Sequence, residues 1–409
     1  MDRLSRIQHH ISPAATGALP ASSPDDVCIV SALRTPICRA RKGGLATVPP
    51  HELLAVAMDG VMAQSGVGKG QVGDIVVGNV LMPGGGALSA RQAMFLGGFP
   101  AEVPISTVNR QCSSGLQAVA NVASAISANI YDVGIAAGVE SMSFHDMMGS
   151  AAEYNASDSV MANGDAQKCL IPMGITSENV AELYGLDRAA LDQFAVSSHQ
   201  KAARAQAQGL FDAEIVTVTV KEEDGTSAVV SKDDGVRPQS SVETLGKLRA
   251  AFKEDGVTTA GNSSQVSDGA AAVLLMKRSK AQELGCAVLG TIRSYACVGV
   301  APEVMGIGPA EAIPVALEKA GLGVADVDIF EINEAFASQA TYCVDKLKIP
   351  HAKVNPKGGA IAFGHPLGCT GARQVATLLH ELRRTGGQYG VVSMCIGTGM
   401  GAAAVFQAE

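Results

Sequence analysis

The chain has no tryptophan, and aromatic residues make up only 4% of it. Few flat faces are left on which bases could stack, and a formal charge of −8 disfavours non-specific contact with nucleic acid. An acidic protein that holds a polyanion must do so through a local basic patch. Charged residues are sparse at 17% against 47% apolar, which implies a well-buried globular core. No apolar run approaches the ~20 residues needed to span a bilayer. The nine cysteines lack the paired Cys-x-x-Cys spacing of a zinc site and do not read as a disulfide framework. Reduced thiols in an intracellular compartment are expected. No Gly-x-x-x-x-Gly-Lys-Ser/Thr loop is present, and no Gly-x-Gly-x-x-Gly follows the first expected strand. Both absences argue against NTP hydrolysis and against a dinucleotide-binding domain.

What is present is length, glycine and alternation. A chain of 409 residues suggests two or three domains, and 46 glycines suggest many tight turns. From residue 27, short β-branched runs alternate with Ala-rich helical stretches. Strands are expected over 27–33, 74–80 and 132–139, and helices over 51–64 and 113–130. The alternation indicates a layered α/β fold. The second half repeats the order, with a helix over 309–320, a strand from 328, a helix over 368–384 and a strand over 389–396. Two duplicated halves would bring corresponding turns to a shared crevice. Residues 144–265 interrupt the pattern. They carry a helix from Asp187, an N-cap candidate, to about Gln208, a polar hairpin turning at 221–225, and an irregular stretch. This reads as a segment laid over the core, suited to covering a ligand. The expected division is 1–26 leader, 27–143 plus 266–290 first half, 144–265 covering segment and 291–409 second half.

Cys112 sits where an apolar run gives way to a small-residue helix. A thiol at a helix N-terminus faces unpaired N–H groups and the positive end of the dipole, which favours thiolate and lowers the pKa. Free cysteine is also among the most buried residue types, so packing is the competing reading. Three segments of the second half stand out. Asn333-Glu334-Ala335-Phe336 follows a strand, at the edge that hosts ligands in α/β folds. His365 lies in a Gly/Pro turn before a helix. Cys395 ends a strand ahead of a glycine run suited to close backbone approach. Each has a plain alternative: a turn asparagine, a structural histidine, a packed thiol and a tight bend.

Taken together, NRQCSSGLQA, PMGITSENVAE, AGNSSQVSDGAA, INEAFA, NPKGGAIAFGHPLGCTGAR and CIGTGMGAA stand in the order found in thiolases. The chain resembles that family over about residues 27–408, and its leader and Ile171-Pro172-Met173-Gly174 most resemble the peroxisomal 3-ketoacyl-CoA branch. The resemblance implies an α/β thiolase-like fold, with two halves in a layered αβαβα core and an inserted loop domain. It implies Cys112 as the acylated nucleophile and Cys395 as the acid and base. His365 and Asn333, the latter through a held water, would build one oxyanion hole. The N–H groups of Gly397 and Cys112 would build another. Arg237, Thr244 and Ser264 match CoA-contacting positions, Thr244 replacing a serine of some relatives, and Met173 joins the substrate-binding set. Pro172 replaces a histidine of some acetoacetyl-specific members, which points to longer or broader acyl chains.

The implied reaction is thiolytic cleavage of 3-ketoacyl-CoA to acetyl-CoA and a two-carbon-shorter acyl-CoA, the last step of fatty-acid β-oxidation. CoA is co-substrate, and no metal or redox cofactor is implied. A homodimer is implied too. Arg3-Leu4, five residues, then His10-Ile11 resembles a type 2 peroxisomal targeting signal read by an import receptor, with Ile11 where leucine is usual; a mitochondrial or plain basic leader is the alternative. The chain ends in Gln407-Ala408-Glu409, not in the Ser-Lys-Leu address. Cys169, just before a loop expected over 172–180, could form an inactivating disulfide with Cys112 or be an unpaired loop cysteine. Arg237, Lys247, Arg249 and Lys253 could hold CoA phosphates, though acidic residues interleave with them. A ketoacyl synthase fits Cys395 poorly. A biosynthetic acetoacetyl-CoA thiolase, or a non-catalytic acyl-CoA or lipid carrier, is the other reading.

Overall fold

The computed structural model describes residues 22–147, 155–221 and 224–409. The targeting pattern at 3–11 and residues 222–223 of the hairpin turn lie outside them. Twelve strands are named here in chain order. The first five are β1 (Val27–Arg34), β2 (Cys38–Arg39), β3 (Asp74–Gly78), β4 (Ile105–Val108) and β5 (Val133–Ser141). The next three are β6 (Val218–Lys221), β7 (Ser227–Val230) and β8 (Ser267–Lys277). The last four are β9 (Gly290–Gly299), β10 (Ile329–Ile332), β11 (Tyr389–Ile396) and β12 (Met400–Ala408).

The duplication expected from the sequence is visible in the strand order. The first half runs β4–β3–β5–β8–β1 and the second β10–β11–β12–β9. A bridge from Phe330 to Val354 stands where β4 pairs β3 in the first half. In both halves the strands towards the outer end of the order are parallel (β3 with β5, β10 with β11) and the inner ones antiparallel. The halves meet edge to edge where β1 touches β9 over two residue pairs, Cys28 with Thr291 and Ile29 with Gly290. The strand β8, which follows the covering segment, returns between β1 and β5.

Five layers follow from where the apolar faces point. Helices Pro50–Ser65 and Ala87–Leu96 cover the outer face of the first sheet through Leu53, Met58, Val61 and Met94. Helices Gly308–Ala320 and Ala337–Lys346 cover the outer face of the second through Ile313, Leu317 and Val344. Between the sheets lie helices Ser114–Ser127 and Leu367–Thr385, one from each half. Buried aliphatic side chains of this kind contribute about 1.5–3 kcal/mol each. The central helices can touch only because glycine stands at the crossing. A Cβ on Gly371 would lie 2.1 Å from the Leu116 backbone nitrogen, and one on Gly115 would lie 2.7 Å from the Gly368 carbonyl oxygen. Their N-terminal ends are thereby drawn together at the centre of the molecule.

The covering segment differs in detail from its sequence reading. Asp187 does cap helix Arg188–Ala207, its side chain accepting from the Ala190 N–H, and β6 and β7 form the expected hairpin. The stretch expected as a loop after Pro172 is instead a helix, Met173–Tyr184, stopped by Gly185 in the left-handed region at φ 67°. Gly185 was the missed signal, since glycine just past the last turn is a common helix stop.

Buried charges fasten this segment to both halves. Arg34 donates to Asp233 and Glu214, and Lys357 donates to the other Glu214 oxygen at 2.6 Å. All four are buried. The two cations hold the Glu214 carboxyl down at about 2 despite its burial.

Candidate active site

Five of the singled-out residues converge where the central helices begin. Cys112 lies in a turn two residues ahead of helix Ser114–Ser127. The turn is fixed from several sides. The Gln111 N–H donates to Asn109 Oδ1 at 2.9 Å, and the Ser114 hydroxyl donates to the Gln111 carbonyl at 2.6 Å. Gln111 itself takes a left-handed conformation at φ 47°. Cys112 is partly covered by protein and opens into a half-open apolar cavity.

The setting raises the thiol rather than favouring the expected thiolate. Loss of solvent pushes the Cys112 thiol up to about 11, only partly offset by hydrogen bonds from the Gly397 N–H and from its own N–H. Cys112 precedes the helix rather than opening it, and the nearby Glu140 charge also opposes ionisation. Desolvation outweighs the helix end.

The second half supplies the facing groups. Asn333 follows β10, its N–H donating to the Ser393 carbonyl at 2.8 Å. Its Nδ2 lies 3.3 Å from Nε2 of His365. His365 Nδ1 lies 2.6 Å from the Thr370 hydroxyl oxygen, and that hydroxyl donates to the Pro366 carbonyl at 3.1 Å. This network puts the imidazole proton on Nδ1 and leaves Nε2 as an acceptor. Burial, with the Arg373 charge nearby, holds His365 down at about 3, so the ring is neutral. Oδ1 of Asn333 is buried and has no hydrogen-bond partner among the described residues, which is where a bridging water would donate.

Cys395 lies in β11, fully buried, packed with Met305 and Ala335. Burial first, and then the adjacent Cys112, raises its thiol well above the usual range. Gly397 sits in the turn between β11 and β12. Gln111 occupies the space beside it, its Oε1 lying 2.0 Å from where a Cβ would be.

The cavity holds about 200 Å³ and is lined by Cys112, His365, Ser264, Met173 and a largely apolar wall that includes Met142, Met147, Met305, Phe252 and Phe336. Sequence reasoning missed most of that wall, because a methionine distant in the chain carries no local sign of where it points. Arg237 and Thr244 are not in the lining. Both are exposed on the covering segment. The Thr244 hydroxyl is engaged in a capping box with Ser241, which the sequence reading had not foreseen. Lys247 and Lys253 pair with Glu243 and Glu182, whereas Arg237 and Arg249 have no ion pair among the described residues. Cys169 is also outside the lining; its thiol lies 3.9 Å from the Thr398 carbonyl oxygen.

A buried carboxylate completes the arrangement and was not singled out beforehand. Glu140, at the end of β5, accepts from the Gly368 N–H at 3.0 Å and from the N–H groups of Val80 and Leu81. It thus anchors the helix after His365 to the first half. Burial raises its carboxyl to about 7.

Comparison with known proteins agrees with the fold. Residues 27–279 match the model of the thiolase N-terminal domain, and residues 286–408 match that of the thiolase C-terminal domain. The human peroxisomal 3-ketoacyl-CoA thiolase is 59% identical, over 100% of this chain and 99% of that protein. Among solved structures, the dimeric peroxisomal thiolase of Saccharomyces cerevisiae superposes with a TM-score of 0.90 at 48% identity, covering 95% of this chain and 98% of that one. Human mitochondrial 3-ketoacyl-CoA thiolase in complex with CoA superposes at 0.85 with 36% identity, covering 94% and 98%.

Proposed function

The chain belongs to the thiolase family, and from that premise we propose how its residues carry out the reaction. It acts as a 3-ketoacyl-CoA thiolase, an acyltransferase of fatty-acid β-oxidation, through an acyl-cysteine intermediate. It works as a homodimer that binds CoA, in the peroxisome.

The observation that carries the residue assignment is that Cys112 and His365 line one apolar cavity, with Asn333 bonded to His365 and the Gly397 N–H bonded to the Cys112 thiol. Cys112 attacks the C3 ketone and passes its proton to the bare Nε2 of His365. Cys112 is held high and His365 low, so the ion pair is not stored in the resting site and forms as attack proceeds. The N–H groups of Cys112 and Gly397, already turned towards the thiol, receive the C3 oxyanion. Collapse releases the enolate of acetyl-CoA, whose oxygen is met by His365 and by a water held at Asn333. Cys395 protonates the departing carbon. It then takes the thiol proton of an incoming CoA, which attacks the acyl group on Cys112; the Cys112 sulfur so released takes its proton back from His365. One group serving as acid and then base, with a covalent intermediate, gives ping-pong kinetics.

CoA enters as co-substrate, and this sequence of steps calls for no resident metal or redox cofactor. The free guanidinium groups of Arg237 and Arg249 face the CoA phosphates. Ser264 and Met173 line the path of the pantetheine arm, and Thr244 reaches CoA only if its hydroxyl turns out of its cap. Four methionines in the wall suit acyl chains of varied length, because methionine repacks readily. Import proceeds through Arg3-Leu4 and His10-Ile11, read by a peroxisomal import receptor. Under a peroxide, Cys169 and Cys112 join as a disulfide with release of water, which blocks the nucleophile. Mass spectrometry of the oxidised protein without that cross-link would remove the redox step.

A thiolysis assay across 3-ketoacyl-CoA chain lengths tests the assignment. Turnover of long and short chains by the native enzyme, lost in Cys112→Ala, is expected. Equal activity in Cys112→Ala overturns the assignment of the nucleophile. Turnover of acetoacetyl-CoA alone overturns the broad-chain reading in favour of the acetoacetyl-specific one.

A further inference from the structure

We propose that Gln111 is a positioning residue that holds the two oxyanion N–H donors, one from each half of the molecule, at a fixed separation. The inference rests on the site assigned above and adds a residue to it.

Three observations carry it. The Gln111 Nε2 lies 3.2 Å from the Thr398 hydroxyl oxygen, 287 residues away. This bond ties the turn before Cys112 to the turn after Gly397. Next, Gln111 Oε1 fills the space where any side chain at 397 would begin, 2.0 Å from an ideal Cβ. The glycine is thus shaped to receive this amide. Finally, both tethered residues adopt left-handed backbone conformations that non-glycine residues rarely take, Gln111 at φ 47° and Thr398 at φ 65°. For a β-branched threonine this is a costly conformation. The surrounding contacts must repay that cost.

The consequence is geometric. The N–H of Cys112 is adjacent in the chain to Gln111, and the N–H of Gly397 is adjacent to Thr398. One side-chain amide therefore spans the pair. Oxyanion donors act only when both sit about 2.7–3.1 Å from the developing charge. Among the described residues no backbone–backbone hydrogen bond joins the two turns, so side-chain contacts set their spacing: the Gln111–Thr398 bond, beside the Gly397 N–H bond to the Cys112 thiol and the contact of Arg110 with the Met400 sulfur at 3.9 Å. The Thr398 hydroxyl donates onward to the Gly397 carbonyl at 2.5 Å, which leaves its oxygen free to accept from Gln111.

The test is a pair of partners with a rescue. Gln111→Leu keeps the bulk and removes the amide; Thr398→Val keeps the shape and removes the acceptor; Thr398→Ser keeps the hydroxyl. Rates are normalised to the Cys112 thiol titrated by alkylation, so a misfolded fraction does not count as lost chemistry. Gln111→Leu and Thr398→Val should each lower kcat by about 10–100-fold, with KM changed less than about twofold. The double variant should be no worse than the poorer single one, and Thr398→Ser should retain most of the rate. A kcat per titrated thiol within about twofold of the native value in either single variant overturns the proposal, and so does an additive double variant. If Cys112→Ala is dead while Gln111→Leu is fully active, only this inference fails. If Cys112→Ala turns over, the site assignment itself fails.

Discussion

The side-chain amide of Asn333 reaches His365 Nε2 at 3.3 Å, while the opposite ring nitrogen of His365 rests on the Thr370 hydroxyl at 2.6 Å. Asn333 at a strand end and Thr370 at a helix start thus fix one imidazole from both sides. The ring's orientation and tautomer follow from these two contacts.

Removing the Thr370 contact should therefore damage chemistry more than binding. In Thr370→Val, Nδ1 loses its acceptor and the ring is free to place its proton on Nε2. We expect kcat to fall by about 10–100-fold with KM little changed, a loss of transition-state stabilisation. Steady-state kinetics with one 3-ketoacyl-CoA checks this. A variant with native kcat would show that the tautomer is held by something else.

The Cys112 thiol is raised to about 11 by burial. Only the thiolate reacts with iodoacetamide. The alkylation rate of the free enzyme should therefore climb about tenfold per pH unit from pH 7 to 9 without levelling. A plateau with a midpoint near pH 7 would mean that the helix end outweighs desolvation after all.

Acid should weaken the fold through His365. Its folded pKa is about 3 against an ordinary 6.5. The unfolded chain then binds the extra proton first, so this contribution is whole above pH 6.5 and is lost progressively as pH falls towards 3. Glu140 works in the opposite sense. Its carboxyl is raised to about 7 from 4.5, so the folded state holds the proton longer and stability from this group declines as pH rises from 4.5 to 7. Replacing Glu140 by Gln removes that decline but turns an amide towards backbone N–H donors. Urea unfolding at pH 5 and pH 8 should show the gap between native and Glu140→Gln protein widening at the lower pH. A gap independent of pH contradicts the raised carboxyl.

The fold was legible where one face of an element carried its signal. The repeated helix-and-strand order, the Asp187 cap and strand 389–396 could all be read from periodicity and punctuation. The residues that meet at the candidate site were legible through motif order, because Cys112, Asn333, His365 and Cys395 each stand in a distinctive run. What escaped had no local signature. Gln111 matters through a bond to Thr398, Glu140 through the N–H of Gly368, and the methionine wall through residues far apart in the chain. Burial around Cys112 escaped as well, since a helix start is visible in sequence and the packing around the thiol is not.

The glycine crossing gives a further prediction. In Gly371→Ala the new methyl meets the Leu116 backbone nitrogen at 2.1 Å, and neither helix can yield without moving the other. Overpacking of this kind costs about 1–3 kcal/mol. The Cys112 turn, attached to the partner helix, should shift with it. Lower denaturant midpoints and a reduced kcat in the same variant are expected. A drop in stability with native kcat would uncouple the crossing from the site.

The central claim is that Cys112 carries the acyl group between the two halves of the reaction. Mixing the enzyme with a 3-ketoacyl-CoA in the absence of free CoA, quenching in acid and mapping peptides by mass spectrometry tests it directly. The account predicts an acyl adduct two carbons shorter than the substrate's acyl chain on the Cys112 peptide, discharged on adding CoA. An adduct on Cys395 instead, or none on any cysteine while acetyl-CoA is released, would contradict it.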